Sequence, residues 1–328
     1  MASRPGGLHG PRIVALGGGH GLSTLLRGLK VRTDDLTAIV TVADDGGSSG
    51  VLREELGLLP PGDLRDCIVA LAEAEPLMTQ LLQYRFGRGT GLEGHAFGNL
   101  FIAALAEITG DFESAIAKAS HVLAVRGRIL PSTLENVRLY AEVRERGNPN
   151  ADPFVVYGQS RIAKARGTIE RVYLVPSNAK GYPEAIRAIL HAEMIVLGPG
   201  SLYTSVLPNL LVADIRNALR ASSALKVYVC NVATQPGETD DYTAEDHVRA
   251  LCAHLGAGFC DCILVNSNTN FQLPPHSGST MVRPYCAEAN GYRVVLEDLV
   301  DREIPWRHDA HKLAEALLRL YGAHDVPS

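Results

Sequence analysis

The chain has 328 residues, 46% of them hydrophobic, and carries 31 Lys+Arg against 36 Asp+Glu for a formal charge of −5. That length and apolar content provide for one large α/β domain or two smaller ones and exclude a disordered chain. The slightly acidic balance gives no electrostatic footprint for nucleic acid, and no apolar run reaches the roughly 18–20 residues that span a bilayer.

Residues 1–10 lack the apolar stretch of a signal peptide and read as a short disordered leader. Ile13-Val14-Ala15-Leu16 follows, an unbroken apolar run that suits a parallel strand covered on both faces. It enters the glycine turn Gly17-Gly18-Gly19-His20-Gly21, with a helix expected over about 22–30. Glycines let the backbone approach a ligand closely, and the free N–H groups of a first helical turn favour an anion such as phosphate. The turn lacks the third glycine of the dinucleotide fingerprint, Leu22 standing there, and lacks the P-loop lysine. The alternative is an unliganded turn.

A second strand over 36–42 ends in Ala43-Asp44-Asp45-Gly46-Gly47-Ser48-Ser49-Gly50. Ligands of open parallel sheets bind outside the carboxyl ends of the strands, so both polar loops are expected to face one crevice. Asp44 or Asp45 would accept from a ribose hydroxyl or hold a metal, the alternative being an Asx-turn or a cap. In the third polar turn, residues 59–67, Asp63 is placed to cap a helix over 64–74. Capping does not account for Arg65 and Asp66. His95 and Asn99 share a helical face if the helix running to about 107 begins early; a structural His and a capping Asn are the alternative. Residues 112–123 have a helical apolar period, 144–153 read as an exposed hairpin loop, and 158–162 and 169–174 read as short strands. Residues of about 60–175 therefore form a helical and antiparallel excursion packed on the main sheet.

Alternation resumes with a helix over 182–191 and a strand over 194–197, which ends in Gly198-Pro199-Gly200-Ser201-Leu202-Tyr203-Thr204. This is a second strand, glycine turn and hydroxyl-bearing helix start, so two anion-receptive helix starts flank one edge of the sheet. A helix over 215–221, a strand over 226–232, the polar loop 234–240, a helix over 244–255 and a strand over 263–266 complete the sheet. A last amphipathic helix over 309–321 is expected to cover the sheet or a dimer partner. Cysteines at 67, 230, 252, 260, 262 and 286 lack zinc spacing and read as reduced thiols of a cytosolic protein. The fold class is α/β, a Rossmann-like doubly wound, mostly parallel sheet in a single domain spanning 1–328.

The stretches GGGHGLSTLLRGL (17–29), TAIVTVADDGGSSG (37–50), LPPGDLRDC (59–67), QYRF (83–86), GHAFGNLFIAAL (94–105), VRGRILPST (125–133), VLGPGSLYTSVLPNLLV (196–212) and NVATQPGETDDY (231–242) together resemble the YvcK family of gluconeogenesis factors. That family lies within the superfamily of the 2-phospho-L-lactate transferase CofD. The resemblance implies a cytoplasmic protein needed for cell shape or wall integrity on gluconeogenic carbon sources. It also implies a protein that binds UDP-sugars, with cell-wall regulatory proteins as partners. CofD itself moves a phospholactyl group from a nucleotide-activated donor to a deazaflavin with magnesium, and its turn matching Pro61 to Asp66 carries acids at the reaction centre. The chain departs from the family pattern at Asp66, where Asn is common, and at His20, where many relatives carry Thr.

Two functions follow. In the first, a nucleotide-sugar-binding regulator holds the diphosphate on Gly18, Gly19, His20, Gly21, Gly198 and Gly200, helped by Ser201 or Thr204. Asp44 or Asp45 takes the ribose, Asn231 addresses base or sugar, Ser48 and Asn99 complete the lining, and Arg126 or Arg128 adds charge. In the second, a CofD-like transferase, Asp44, Asp45, Asp63 and Asp66 hold Mg²⁺ and His95 is an acid or base, so Asp63, Asp66 and His95 are its catalytic candidates. The incomplete fingerprint and the want of a hydride-site constellation speak against a dinucleotide oxidoreductase. A homo-oligomer, a dimer, is expected.

Overall fold

The computed structural model describes residues 10–148, 150–165, 167–284 and 292–324. All of the expected leader but Gly10, and Cys286, lie outside the described residues.

The chain opens with β1 (Ile13–Gly17), α1 (Gly19–Leu29) and β2 (Leu36–Val40), followed by five helices: α2 (Gly47–Leu56), α3 (Gly62–Leu71), α4 (Pro76–Gln83), α5 (Phe97–Thr109) and α6 (Phe112–Val122). Next come β3 (Arg128–Pro131), β4 (Arg138–Glu145), β5 (Phe154–Tyr157), the short α7 (Gln159–Ile162) and β6 (Gly167–Val175). The second half holds α8 (Pro183–His191), β7 (Met194–Leu197), a π-helical turn (Leu202–Val206), α9 (Leu207–Leu211) and α10 (Ala213–Ala221). It ends with β8 (Leu225–Val229), α11 (Ala244–Leu255), β9 (Cys262–Asn266), β10 (Arg293–Glu297) and α12 (Ala310–His324).

Seven strands form one parallel sheet in the order β10-β9-β8-β7-β1-β2-β3. From β1 the chain runs outward through β2 to β3, then returns to the other side of β1 as β7 and runs outward the opposite way. Right-handed crossovers laid in opposite directions put their helices on opposite faces. Accordingly α1 packs with α3 and α12, while α8, α9, α10 and α11 pack together. This is the doubly wound architecture that the sequence predicts. Every residue of β1, β2, β7 and β9 is buried, which is why these strands are almost wholly apolar, with Thr37 and Asn266 as the polar exceptions, instead of alternating. α1 buries Leu22, Leu25, Leu26 and Leu29, the helical stripe that turns inward.

A separate antiparallel sheet, β5-β4-β6, carries the expected excursion. β4 alternates buried and exposed residues, as a strand with one covered face must. Four boundaries differ from the sequence reading. β3 belongs to the main sheet as its edge strand, paired in parallel with β2. Residues 159–162 coil into α7 after Gly158, whose φ of +94° turns the chain. α2 begins inside the polar loop after β2, and β10 adds an unforeseen parallel edge. Among the described residues no helix is long and apolar enough to cross a membrane.

Candidate functional site

The strand order reverses between β1 and β7, so the loops leaving these neighbours diverge and open a crevice above the carboxyl edge of the sheet. A cleft of about 850 Å³ lies there. Gly18, Gly19, His20 and Gly21 line it from the first turn, and Pro199, Gly200 and Ser201 from the second. The two turns touch. A Cβ at Gly21 would sit 2.6 Å from the Pro199 carbonyl oxygen, so only glycine permits the contact.

Each turn has a buried carboxyl group beneath it. Asp63, in the first turn of α3, receives the Gly19 N–H, and a Cβ at Gly18 would lie 2.3 Å from its Oδ2. α3 begins at Gly62 with Pro61 as its cap residue, so Asp63 does not cap this helix as expected; it is turned to the glycine turn instead. Glu238 receives the Tyr203 and Thr204 N–H groups, and the Thr204 hydroxyl donates to its Oε1 at 3.0 Å. Asp63 Oδ2 and Glu238 Oε2 are buried without a hydrogen-bond partner. Burial, reinforced by the charges of Asp44 and Asp66, pushes the Asp63 carboxyl up to about 8. Burial pushes Glu238 up to about 7, against the Thr204 hydroxyl and the two amides that favour its anion. At neutral pH Asp63 holds its proton most of the time and Glu238 about half of the time, and each donates a hydrogen bond when protonated.

Behind the turns two sets of polar contacts hold the site together. Asn231 donates to the Gly200 carbonyl at 2.9 Å and accepts the Gly200 N–H at 3.2 Å, which fixes the second turn. Ser48 Oγ lies 3.1 Å from His95 Nδ1, and Asn99 Nδ2 donates to Ser49 Oγ at 3.4 Å. Arg65 donates to Asn99 Oδ1 at 2.9 Å and pairs with Asp66 at 2.6 Å. The helix that carries Asn99 starts at Phe97, so His95 precedes it; the two side chains meet through the serine pair and not along a helical face.

Of the residues singled out from sequence, Asp44, Ser48, Asp63, Asp66, Asn99, Asn231, Gly200 and Ser201 line the cleft with residues 18–21. Asp44 also makes the Asx-turn foreseen for one of the pair, accepting the Gly46 N–H at 2.9 Å. Its neighbour Asp45 faces a different recess and accepts the Ser160 N–H at 2.9 Å. His95, Gly198 and Thr204 lie behind the wall. Arg126 pairs with Glu73 at 3.0 Å and Asp34 at 3.6 Å, and Arg128 lines a recess with Arg12 and Arg187 away from the cleft.

A family model described as the 2-phospho-L-lactate transferase CofD matches residues 13–300. The chain belongs to the CofD family. It is 48% identical over 317 residues to the gluconeogenesis factor of Bacillus subtilis (strain 168), covering 94% of this chain and 98% of that protein, which places it in the YvcK branch. A relative in Clostridium acetobutylicum is 53% identical over 264 residues, and the match spans 79% of this chain but only 57% of that protein. A crystal structure of a Bacillus halodurans protein superposes with a TM-score of 0.87 at 46% identity, covering 94% of this chain and 99% of that one.

Sequence reasoning missed several cleft residues of this CofD-family chain, notably Glu238, Gln235, Arg65 and Trp306. Glu238 lies in a loop that reads as a turn, and only the fold carries it under the second glycine turn. Trp306, the one tryptophan in the chain, reaches the cleft from the segment between β10 and α12 and is 38% exposed. As for magnesium, among the described residues no three His, Cys, Asp or Glu side chains converge on one point. Asp44 and Asp63, with an orphaned buried oxygen, fit the one or two carboxylates that Mg²⁺ takes when phosphates and waters supply its other ligands.

Proposed function

We propose that this chain is a gluconeogenesis factor that binds a UDP-sugar in the cleft and leaves it intact. The observation that carries the reading is the convergence of two glycine turns from adjacent strands at the reversal point of the sheet. The diphosphate would lie across the turns, facing the amides of His20 and Gly21 and the Ser201 hydroxyl, with Asp63 and Glu238 as further donors in their protonated forms. Asp44 would accept from ribose hydroxyls, and Trp306 would offer the base a ring face. Asn231 and Thr204 would act by holding the second turn and its carboxyl. In this reading the protein is cytoplasmic and dimeric, and it supports cell shape and wall integrity on gluconeogenic carbon sources through cell-wall regulatory proteins. The relatives named as gluconeogenesis factors support it.

A second reading, a CofD-like transferase of a phosphoryl-linked group, is favoured by the orphaned Asp63 oxygen beside Asp44. Magnesium held there would offset negative charge on the transferring phosphate. Calorimetric titration with UDP-N-acetylglucosamine, with and without Mg²⁺, separates the readings once the recovered nucleotide is analysed. Saturable binding with intact ligand is expected of the regulator. Mg²⁺-dependent binding that returns UDP or UMP would overturn it in favour of the transferase.

A further inference from the structure

On the far side of the Asp44–Asp45 pair from the cleft lies a second recess of about 140 Å³. At about 30 Å³ for each water it holds about five water-sized groups, the size of a phosphate ion. Three arginines line it, Arg53 from α2, Arg138 from the start of β4 and Arg161 from α7, against two acids, Asp45 and Glu54.

Arg53 is only 5% exposed, yet every acceptor it touches is neutral. Its Nε donates to Asn136 Oδ1 at 2.8 Å, and its terminal nitrogens donate to Asn136 Oδ1, to the Val137 carbonyl and to the Asp44 backbone carbonyl. Buried charges are ordinarily paired with an opposite charge. Burial, and next the charge of Arg138, pull the Arg53 guanidinium below its ordinary range, and the nearby carboxylates of Asp45, Asp44 and Glu54, none of them hydrogen-bonded to it, offset this only in part. Asp45 is occupied by the Ser160 N–H. Arg161 is held with its guanidinium 4.6 Å over the Tyr157 ring, and neither it nor Arg138 makes a side-chain hydrogen bond or ion pair among the described residues.

We propose that this recess is a binding site for a small phosphate-type anion, gripped by the forked donors of Arg138 and Arg161 and charge-balanced by the buried Arg53. The site is distinct from the cleft. α2 joins the two, presenting Ser48 and Ser49 to the cleft and Arg53 to the recess one turn later.

The test titrates the full chain by calorimetry with inorganic phosphate and, separately, with glycerol 3-phosphate, while Trp306 emission reports on the cleft. The expected result is one saturable event that leaves Trp306 unchanged and weakens at least tenfold in both Arg138→Ala and Arg161→Ala. The stronger of the two probes tells a free ion from a phosphomonoester. Both side chains are exposed, so the variants are expected to fold, and melting curves give a second readout. Phosphate should raise the melting temperature of the wild type but not of either variant, and Arg161→Lys should recover only part of the effect because it lacks the fork. Saturable binding that shifts Trp306 emission and survives both substitutions would put the anion in the cleft and overturn the proposal. So would the absence of any saturable heat.

Discussion

Asp63 and Glu238 make both glycine turns sensitive to protons. Their folded values, about 8 and about 7, stand above those of an unfolded chain, so the folded protein retains protons the unfolded one would release. The stability they contribute is complete below about pH 4 and is lost as pH climbs to about 8. Asp63→Asn removes the larger of the two ionisations while keeping an acceptor for the Gly19 N–H. Its melting temperature, relative to wild type, should rise steadily from pH 5 to pH 8 and level off above that. A difference independent of pH would mean that Asp63 is not held protonated. At this scale the sequence was partly legible. The glycines, Asp44, Ser48 and Asn99 stand in the cleft, but nothing in the string Asp44-Asp45 says which carboxylate faces inward. The answer depends on Ser160, 115 positions along the chain.

The elements read best where burial is complete. Apolar runs made β1, β2, β7 and β9 visible, whereas α2 opens with Gly47-Ser48-Ser49-Gly50, residues of poor helix propensity held by tertiary bonds from His95 and Asn99. α7 and the edge strand β3 are too short for periodicity to decide, and β10, no residue of which is fully buried, lacks the unbroken apolar run that marks the inner strands. Two glycines of α1 separate packing from function. A methyl group at Gly21 would meet the Pro199 carbonyl oxygen at 2.6 Å, and one at Gly28 the Ala310 carbonyl oxygen of α12 at 2.0 Å. Gly21→Ala and Gly28→Ala should each cost about 1–3 kcal/mol, the usual penalty of overpacking. Only Gly21→Ala should lose UDP-sugar affinity, by tenfold or more, because only it parts the two turns. Equal affinity in both variants, measured by calorimetry, would dissociate the turns from the binding site.

On the scale of the whole molecule, the site exists because strand order reverses between β1 and β7. That pairing joins residues about 180 positions apart, so local pattern shows the two glycine turns but not that they meet. Resemblance to the YvcK stretches supplied the family, which the match over residues 13–300 bears out. Trp306 reports directly on where the ligand sits, as the single tryptophan of the chain and part of the cleft wall. Its emission should change saturably as UDP-N-acetylglucosamine is added to the full chain. The change should be lost in Gly21→Ala and kept in Gly28→Ala. Binding detected by calorimetry that leaves Trp306 silent would place the UDP-sugar outside the cleft.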